Sequence, residues 1–365
     1  MSAVSKLKKV DWVLFGSVLF LVFFGILELF AISQNDPTMS LALSKQLIAF
    51  GLGLVLMVLA TFFDYRFFKT NSYAAMIFYA LSLVLLVLVL FIGSDIRGAS
   101  AWIKIGSFSI EPVEFVKIAL IILLAKYFSQ RHVEIYRFSH VVISGIYIGI
   151  PLALVLLQPD LGSAIVIMGV WIFMMLISGI SKKHLAFLFL SGVALSVFAW
   201  VNVFKEYQKD RIMTFLNPYA DPQGAGYNVI QSMTAVGDGG VFGRGLGAGS
   251  QVQFGFLPEA HTDFMFAAIA EEFGLVGIVF IFALLSVILW RIIKIAMSAD
   301  NNFARLFCVG VVSWIFVQII INAGMNLGIM PVTGITFPFL SYGGSSLLSL
   351  FIALGLVQSI KLRNS

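Results

Sequence analysis

Cysteine is almost absent from this chain of 365 residues: Cys308 is the only one, and it lies within an apolar run. One cysteine excludes an intrachain disulfide and a thiolate metal cluster, and we expect Cys308 to be a small buried hydrophobe. The four histidines are scattered and never take the His-Glu-x-x-His spacing. Because a zinc site needs several such ligands, the sequence predicts none.

Charge is also scarce, since only 11% of the residues are Asp, Glu, Lys or Arg, whereas 60% are hydrophobic. A soluble domain averages about 45–50% apolar and about 25% charged residues, so an ordinary soluble domain is excluded. The apolar residues come in blocks of about 20, the length that crosses a ~30 Å hydrocarbon core as a helix. Strands of an outer-membrane barrel would be shorter and would alternate in polarity. We expect an all-α, polytopic membrane protein.

Ten apolar blocks are long enough to be transmembrane helices. They cover residues 11–33, 44–63, 73–93, 111–128, 139–157, 160–177, 184–204, 263–290, 303–325 and 344–361. The first block follows lysines, as in a signal peptide, but exceeds the about 7–15 residues of a cleavable apolar region, so we expect an uncleaved span. No linker divides the chain. We therefore expect one domain, residues 1–365, with a large extracytoplasmic loop at 205–262.

The distribution of positive charge indicates the orientation. An even number of spans puts both termini on one side, and most of the 23 lysines and arginines fall on that side. Because short cytoplasmic loops carry the excess of Lys and Arg, we expect both termini in the cytoplasm. The net charge of +5 then reflects membrane topology rather than a nucleic-acid partner.

The 257–264 segment, Leu-Pro-Glu-Ala-His-Thr-Asp-Phe, concentrates polar groups where the long loop returns to apolar sequence. Thr262 and Asp263 precede span eight, and hydroxyl and acidic side chains stabilise helix N-termini, so helix capping is one interpretation. The other is chemistry. A carboxylate beside Glu259 and an apolar surface has a raised pKa, which suits a general base. His261 lies at the same edge.

Further ionisable residues lie inside the apolar blocks, where a charge is costly and usually faces a partner or a cavity. Glu114 and Lys117 share one face of span four and form either an internal ion pair or part of a site. Glu271 and Glu272 in span eight either pack against polar partners or have a functional role. Trp102 is either an interfacial anchor or a platform for a sugar ring.

The glycine run at 237–249 contains neither G-x-G-x-x-G nor G-x-x-x-x-G-K-[ST], and no strand is expected before it. A nucleotide site is therefore not expected. We expect a flexible, close-fitting loop in which Arg244 is the only cation.

Four segments resemble the SEDS family (shape, elongation, division and sporulation) of bacterial peptidoglycan polymerases. They are residues 158–162, 211–232, 257–264 with the following 270–274, and 330–346. The resemblance covers essentially the whole chain. One departure is Val113, where family members usually carry the serine of Pro-Ser-Glu, so a hydroxyl is lost. The 211–232 loop and the short N-terminus favour the elongation (RodA) type, whereas Ala260 is more typical of the division (FtsW) type.

The resemblance implies that the protein polymerises lipid II, an undecaprenyl-diphosphate-linked disaccharide-pentapeptide, on the outer face of the bacterial cytoplasmic membrane. Asp263 would be the general base of an inverting transfer to the nascent glycan. Positive charge for the departing diphosphate would come from Arg211, Arg244, Lys117 or a divalent cation such as Mg²⁺. The remaining implied substrate contacts are Glu114, Trp102, Glu259, His261, Gln231, Ser341 and Tyr342.

Asp160 would position the substrate or help to hold a metal ion, with simple helix capping as the alternative. The implied partner is a class B penicillin-binding protein, a transpeptidase that crosslinks the glycan. Two other functions stay open on the sequence: a transporter that flips lipid II across the membrane, and a non-catalytic scaffold that recruits the transpeptidase.

Overall fold

The computed structural model describes residues 9–35, 39–96, 99–106, 108–131, 137–202, 206–224 and 226–364. Most of these residues are helical. In chain order the helices are α1 (Trp12–Asn35), α2 (Met39–Phe62), α3 (Arg66–Thr70), α4 (Ser72–Ile92), α5 (Pro112–Gln130), α6 (Phe138–Leu157), α7 (Leu161–Ser178), α8 (Lys182–Asn202), α9 (Glu206–Leu216), α10 (Tyr227–Asp238), α11 (Ser250–Gln253), α12 (Met265–Met297), α13 (Asn302–Asn326) and α14 (Gly344–Arg363), with a 3₁₀ turn at Pro218–Ala220.

The helices confirm the predicted all-α class. Within the described residues, nine helices are long and apolar enough to cross a membrane. The remaining predicted span corresponds to α5, which Glu114, Lys117 and Lys126 make more polar. Each predicted block is therefore helical, while the count of ten spans stays a prediction.

Helices α13 and α14 form the centre of the bundle. In their most apolar stretches 78% and 83% of the residues are buried, against 0% for α8, which lies at the periphery. Trp314 and Phe351 are fully buried there, and Cys308 is buried as the sequence predicts. The centre also holds the amides of Asn322 and Asn326, both with no exposed surface.

Small residues bring α2 and α14 into close contact. A Cβ atom on Gly355 would lie 2.5 Å from the Met57 carbonyl oxygen, and one on Gly53 would overlap the Phe351 ring. Inside a membrane, where lipid is as apolar as leucine, such close backbone packing drives helix association. The pairing places the first turns of α2 against the segment that precedes α14.

Three short strands form an antiparallel sheet in the order β1 (Ser94–Ile96), β2 (Ala99–Ile105), β3 (Phe108–Ile110). Ile103 pairs with Ile110, and Gly106, at a φ of 61°, lies between β2 and β3. The sequence predicts a loop here, because strands this short show no recognisable alternation. The N–H of Glu111 donates to Ser345 Oγ (3.0 Å) and so ties the end of the sheet to the start of α14.

The long helix α12 is broken at Gly274, whose φ of 63° and ψ of −163° are not helical. The glycine-rich 239–249 loop packs at the break. There the N–H groups of Leu275 and Val276 donate to the carbonyl oxygens of Gly240 (3.0 Å) and Val241 (3.1 Å). Backbone groups within a membrane need such internal partners. The loop therefore fits closely against the helix, in agreement with the sequence.

Candidate active site

A cavity of about 400 Å³ lies where the sheet, the start of α5 and the segment before α12 meet. Its apolar wall includes Ile48 and Leu52 of α2 and Leu348 of α14. The polar side chains that line it include Lys45, Trp102, Glu111, Glu114, Ser163 and Asp263. A concave, largely apolar site with a few convergent polar groups is the usual form of a ligand-binding site.

Asp263 reaches this cavity from a backbone that α13 holds in place. Its carbonyl oxygen accepts hydrogen bonds from Asn322 Nδ2 (3.1 Å) and Asn326 Nδ2 (3.0 Å). Both amides are completely buried, and Asp263 itself is 7% exposed. Two donors on one rigid helix fix the position from which the carboxylate extends.

The residues before Asp263 are fastened to the segment that precedes α14. Ser341 Oγ donates to the Thr262 carbonyl oxygen (2.6 Å), and the N–H of Tyr342 donates to the His261 carbonyl oxygen (2.8 Å). Of the two predicted contact residues in that segment, Tyr342 lines the cavity and Ser341 supports the backbone behind it.

The prediction that Thr262 or Asp263 caps the following helix is wrong. The cap position of α12 is Phe264, without a side-chain cap, and Thr262 Oγ1 instead donates to Glu259 Oε2 (3.0 Å). The N–H of Ala267 in the first turn donates to Asn326 Oδ1 (3.1 Å). Because a neighbouring helix supplies that acceptor, the Asp263 side chain is not needed at the helix end.

Glu114 and Lys117 form the internal ion pair that their spacing predicts. Lys117 Nζ donates to Glu114 Oε1 (2.7 Å), Ser349 Oγ donates to Glu114 Oε2 (3.3 Å), and both side chains of the pair are almost completely buried. Lys117 also lies 5.7 Å from the centre of the Trp314 ring. Only Glu114 of the pair lines the cavity, and its charge is balanced by Lys117.

Glu111 is a third carboxyl group in the cavity, which the sequence did not reveal. It immediately precedes α5 and lines the same space as Asp263. Burial raises the pKa of Glu111 well above its usual value, and the negative charges of Glu114, Asp160 and Asp263 raise it further, while Lys117 opposes them. Both effects favour the protonated form of this carboxyl. The sequence feature that could have pointed to Glu111 is its position next to Pro112, at the boundary of a predicted span.

Lys45 was missed as well, because on the sequence it reads as a charge flanking span two. It lines the cavity, and among the described residues it has no ion-pair partner. Its neighbour Gln46 fixes this turn of α2: Gln46 Nε2 donates to the Ser341 carbonyl oxygen, and Gly343 N–H donates to Gln46 Oε1, both at 3.3 Å. Lys45 is thereby held at the level of the segment that supports Asp263.

Glu259 and His261 lie behind Asp263 and do not line the cavity. Glu259 has a φ of 54°, accepts from Thr262 and lies 3.9 Å from His261 Nε2. The His261 ring centre is 5.8 Å from that of Tyr342. The arrangement suits support of the Asp263 loop, whereas direct substrate contact by either residue stays a prediction.

Several other predicted substrate residues lie away from the cavity. Arg244 is half-exposed and its Nη2 lies 3.5 Å from Asp238 Oδ1. Gln231 lies on α10 and is not part of the lining. Asp160 caps α7 by accepting from the Ser163 N–H (2.9 Å), so the simple capping interpretation accounts for its contact. The Arg211 side chain lies outside the described part of the chain, and all four substrate roles stay predictions.

Glu271 and Glu272 pack against polar partners, one of the two interpretations that the sequence leaves open. Glu271 accepts from the N–H of Gln251 (2.8 Å), and Glu272 accepts from the N–H of Gly247 (2.9 Å). Both carboxylates therefore hold the end of the large loop against α12.

Across the described ranges, no three His, Cys, Asp or Glu side chains are grouped so as to hold a metal ion. The divalent cation stays a prediction of the resemblance.

Fold and cavity together define a polytopic helical membrane protein with a polar cavity at one edge of its bundle. The model of the FtsW/RodA/SpoVE family, described as cell cycle proteins, matches residues 9–365. The chain belongs to this family, which confirms the resemblance found in the sequence.

Curated relatives and solved structures agree with this assignment. Stage V sporulation protein E of Bacillus subtilis strain 168 is 40% identical over 317 residues, 87% of this chain and 86% of the relative. The peptidoglycan glycosyltransferase MrdB of Escherichia coli K12 is 36% identical over 343 residues, 94% and 91% of the two chains. A chain from a structure on polymerisation and crosslinking by a peptidoglycan synthase complex matches with a TM-score of 0.83 at 33% identity, covering 96% of this chain and 97% of that one.

Proposed function

We propose that this protein is a peptidoglycan glycosyltransferase that polymerises lipid II, with Asp263 as its general base. The observation that carries the proposal is a carboxylate on a fixed backbone, 7% exposed, at the wall of a cavity that joins polar groups to an apolar surface. The glycosyltransferase relative, which aligns with 94% of this chain, supports the reaction type.

The chemistry needs one base. The sugar 4-hydroxyl of one substrate attacks the anomeric carbon of the other, a carbon–oxygen bond forms, and the bond from that carbon to the diphosphate oxygen breaks. The Asp263 carboxylate accepts the hydroxyl proton, and the lipid diphosphate departs with the bonding electrons. A single displacement inverts the anomeric centre, converting an α-linked donor into a β-linked glycan. General-base help of this kind is worth about 10²–10⁴-fold in rate.

The cavity suits a lipid-linked sugar because its lining contains both apolar and polar side chains. Ile48, Leu52 and Leu348 offer an apolar surface to a polyprenyl chain, which has no polar groups of its own. Trp102 stands at the polar side, where an aromatic face can stack on a sugar ring. The sugar and diphosphate would therefore meet Asp263 while the lipid chain stays within the bundle.

We further propose that the cavity opens to the outer side of the bacterial cytoplasmic membrane and that both termini are cytoplasmic. Most Lys and Arg residues fall in segments predicted to lie on the same side of the membrane as the termini, and this supports the orientation. A class B penicillin-binding protein is the proposed partner, supported by the match to a chain of a peptidoglycan synthase complex.

The test is polymerisation of labelled lipid II by the purified protein with its transpeptidase partner. We expect glycan strands from the wild type, and a loss of roughly 10²-fold or more for Asp263→Asn, which removes the base but keeps the shape. Ser181→Ala, at the distant turn between α7 and α8, is the matched control and should polymerise normally. A wild type without polymer would favour the lipid II transporter, and an Asp263→Asn protein with normal rates would exclude Asp263 as the base.

The scaffold alternative makes a different prediction in cells. A scaffold needs only to hold the transpeptidase, so Asp263→Asn would sustain growth wherever the complex still forms. Growth failure of Asp263→Asn, together with normal recovery of the partner in pull-downs, supports catalysis.

A further inference from the structure

The cavity holds more ionisable groups than a single-base mechanism uses. Glu114 is balanced by Lys117 at 2.7 Å, and Asp263 has the role of base. Lys45 and Glu111 line the same cavity and have no role in that step. A departing diphosphate carries several negative charges and needs both positive charge and hydrogen-bond donors around it.

We propose that Lys45 and Glu111 bind the diphosphate of the lipid-linked substrate, Lys45 as a cation and Glu111 as a neutral hydrogen-bond donor. The inference rests on the proposed function and extends it to the leaving group. It replaces Lys117 and Arg244 as the source of this contact, because Lys117 is already paired with Glu114 and Arg244 lies outside the cavity.

The position of Lys45 supports its part. It is the only Lys or Arg among the described residues that line the cavity, and it forms no ion pair within the described part of the chain. Through Gln46 its turn of α2 is hydrogen-bonded to the segment 341–343, which in turn holds the backbone before Asp263. The cation and the base are therefore fixed to one framework.

Glu111 can supply the hydrogen-bond donor that complements the positive charge of Lys45. Its backbone is held by the bond from its N–H to Ser345 Oγ (3.0 Å), which fixes the point at the start of α5 from which the side chain extends. Four charged groups influence it: Glu114 and Lys117 on α5, Asp160 before α7 and Asp263 before α12. Burial and the three carboxylates raise its pKa and so favour the protonated carboxyl, which donates to a phosphate oxygen rather than repelling it.

Binding of the product, polyprenyl diphosphate, tests the proposal without any chemical step. The protein would be studied in nanodiscs of neutral phosphatidylcholine, with polyprenyl monophosphate as the comparison ligand. We expect Glu111→Gln, which remains a neutral donor, to bind the diphosphate within about twofold of wild type. Glu111→Ala and Lys45→Gln should each bind about tenfold more weakly, the loss of one charge-assisted contact.

Lys104→Gln is the matched control, since Lys104 is exposed on β2 and is absent from the cavity lining. It should bind like wild type. The proposal is overturned if Glu111→Ala binds like wild type, if Glu111→Gln is as weak as Glu111→Ala, or if Lys45→Gln has no effect. None of these results depends on Asp263, so a failure here and a failure of the general-base assignment are separable.

The pH dependence gives a second measurement that does not need the alanine variant to fold. As pH rises through its raised pKa, Glu111 becomes a carboxylate and repels the diphosphate. The affinity of wild type should therefore fall relative to Glu111→Gln from mildly acidic to alkaline pH. Parallel profiles for the two proteins would contradict a neutral Glu111.

Discussion

Asp263 depends on two asparagines that do not line the cavity. Asn322 and Asn326 both donate to its carbonyl oxygen, and Asn326 Oδ1 also accepts from Ala267 in the first turn of α12. One side chain thus supports both the loop that carries Asp263 and the helix that follows it. This double use explains why the carboxylate can face the cavity.

We expect Asn326→Leu to lower the turnover number roughly 10–100-fold with little change in KM, because a small displacement of the base affects the chemical step most. It should also reduce stability by about 1–3 kcal/mol, since buried groups of Asp263 and Ala267 lose a partner. Lipid II polymerisation and thermal unfolding in detergent measure the two effects.

Gln318→Leu is the control for that experiment. Gln318 lies two turns earlier on α13, is completely buried, and its amide has no hydrogen-bond partner among the described residues. Replacing an unsatisfied polar group with leucine should leave activity unchanged and stability equal or higher. Equal turnover in Asn326→Leu and Gln318→Leu would contradict a positioning role for Asn326.

At this scale the sequence identifies residues whose type and place are both unusual. Asp263, Glu114 and Trp102 were found because few polar groups occur in so apolar a chain, and all three line the cavity. Lys45 and Glu111 could not be found in this way. They are separated by 66 positions in the sequence, and the packing of α2, α14 and the sheet brings both to one cavity.

At the scale of elements, block length and apolar content were sufficient to locate the long helices, because a span must be about 20 residues long. The three-stranded sheet and the break in α12 were not predicted. Both depend on contacts between distant segments: the sheet end is tied to α14 through Ser345, and the break is completed by the 239–249 loop.

The break in α12 predicts that Gly274→Ala is strongly destabilising. Its backbone conformation is almost restricted to glycine, and a Cβ there would overlap the nitrogen of Gly243 and lie 2.6 Å from the Val241 carbonyl oxygen. We expect a loss of about 1–3 kcal/mol from backbone strain alone, together with release of the loop. The thermal midpoint in detergent and protease cleavage within residues 239–249 measure both effects.

Gly51→Ala provides the comparison, because Gly51 lies on α2 and a Cβ atom added there would have no contact within 4 Å. A helical glycine in open space should tolerate alanine within about 0.5 kcal/mol or become slightly more stable. Indistinguishable melting and cleavage of the two variants would show that the loop does not need the glycine at the break.

At the scale of the whole molecule, the two ends of the bundle have different chemistry. The cavity and Asp263 lie where α12 and α14 begin, and the far ends of these helices carry Arg291 and Arg363. There Arg291 forms a bidentate ion pair with buried Asp11 (2.5 Å), and Arg363 lies 3.3 Å from Asp64.

The match over the whole chain shows the family, but the sporulation relative and the peptidoglycan glycosyltransferase relatives align almost equally well. The elongation-type assignment therefore stays a prediction.

The charge difference between the two ends predicts the orientation in the membrane, which cysteine labelling can measure. Cys308 is buried, so the wild type should remain unlabelled by a membrane-impermeant maleimide. Gln223→Cys lies exposed in the segment between α9 and α10, on the side of the cavity, and Ser298→Cys lies exposed at the end of α12, near Arg291. Because positive charge stays in the cytoplasm, we expect intact spheroplasts to label Gln223→Cys at once and Ser298→Cys only after permeabilisation. The reverse pattern would place the cavity in the cytoplasm, where a polymerase acting on translocated lipid II could not meet its substrate.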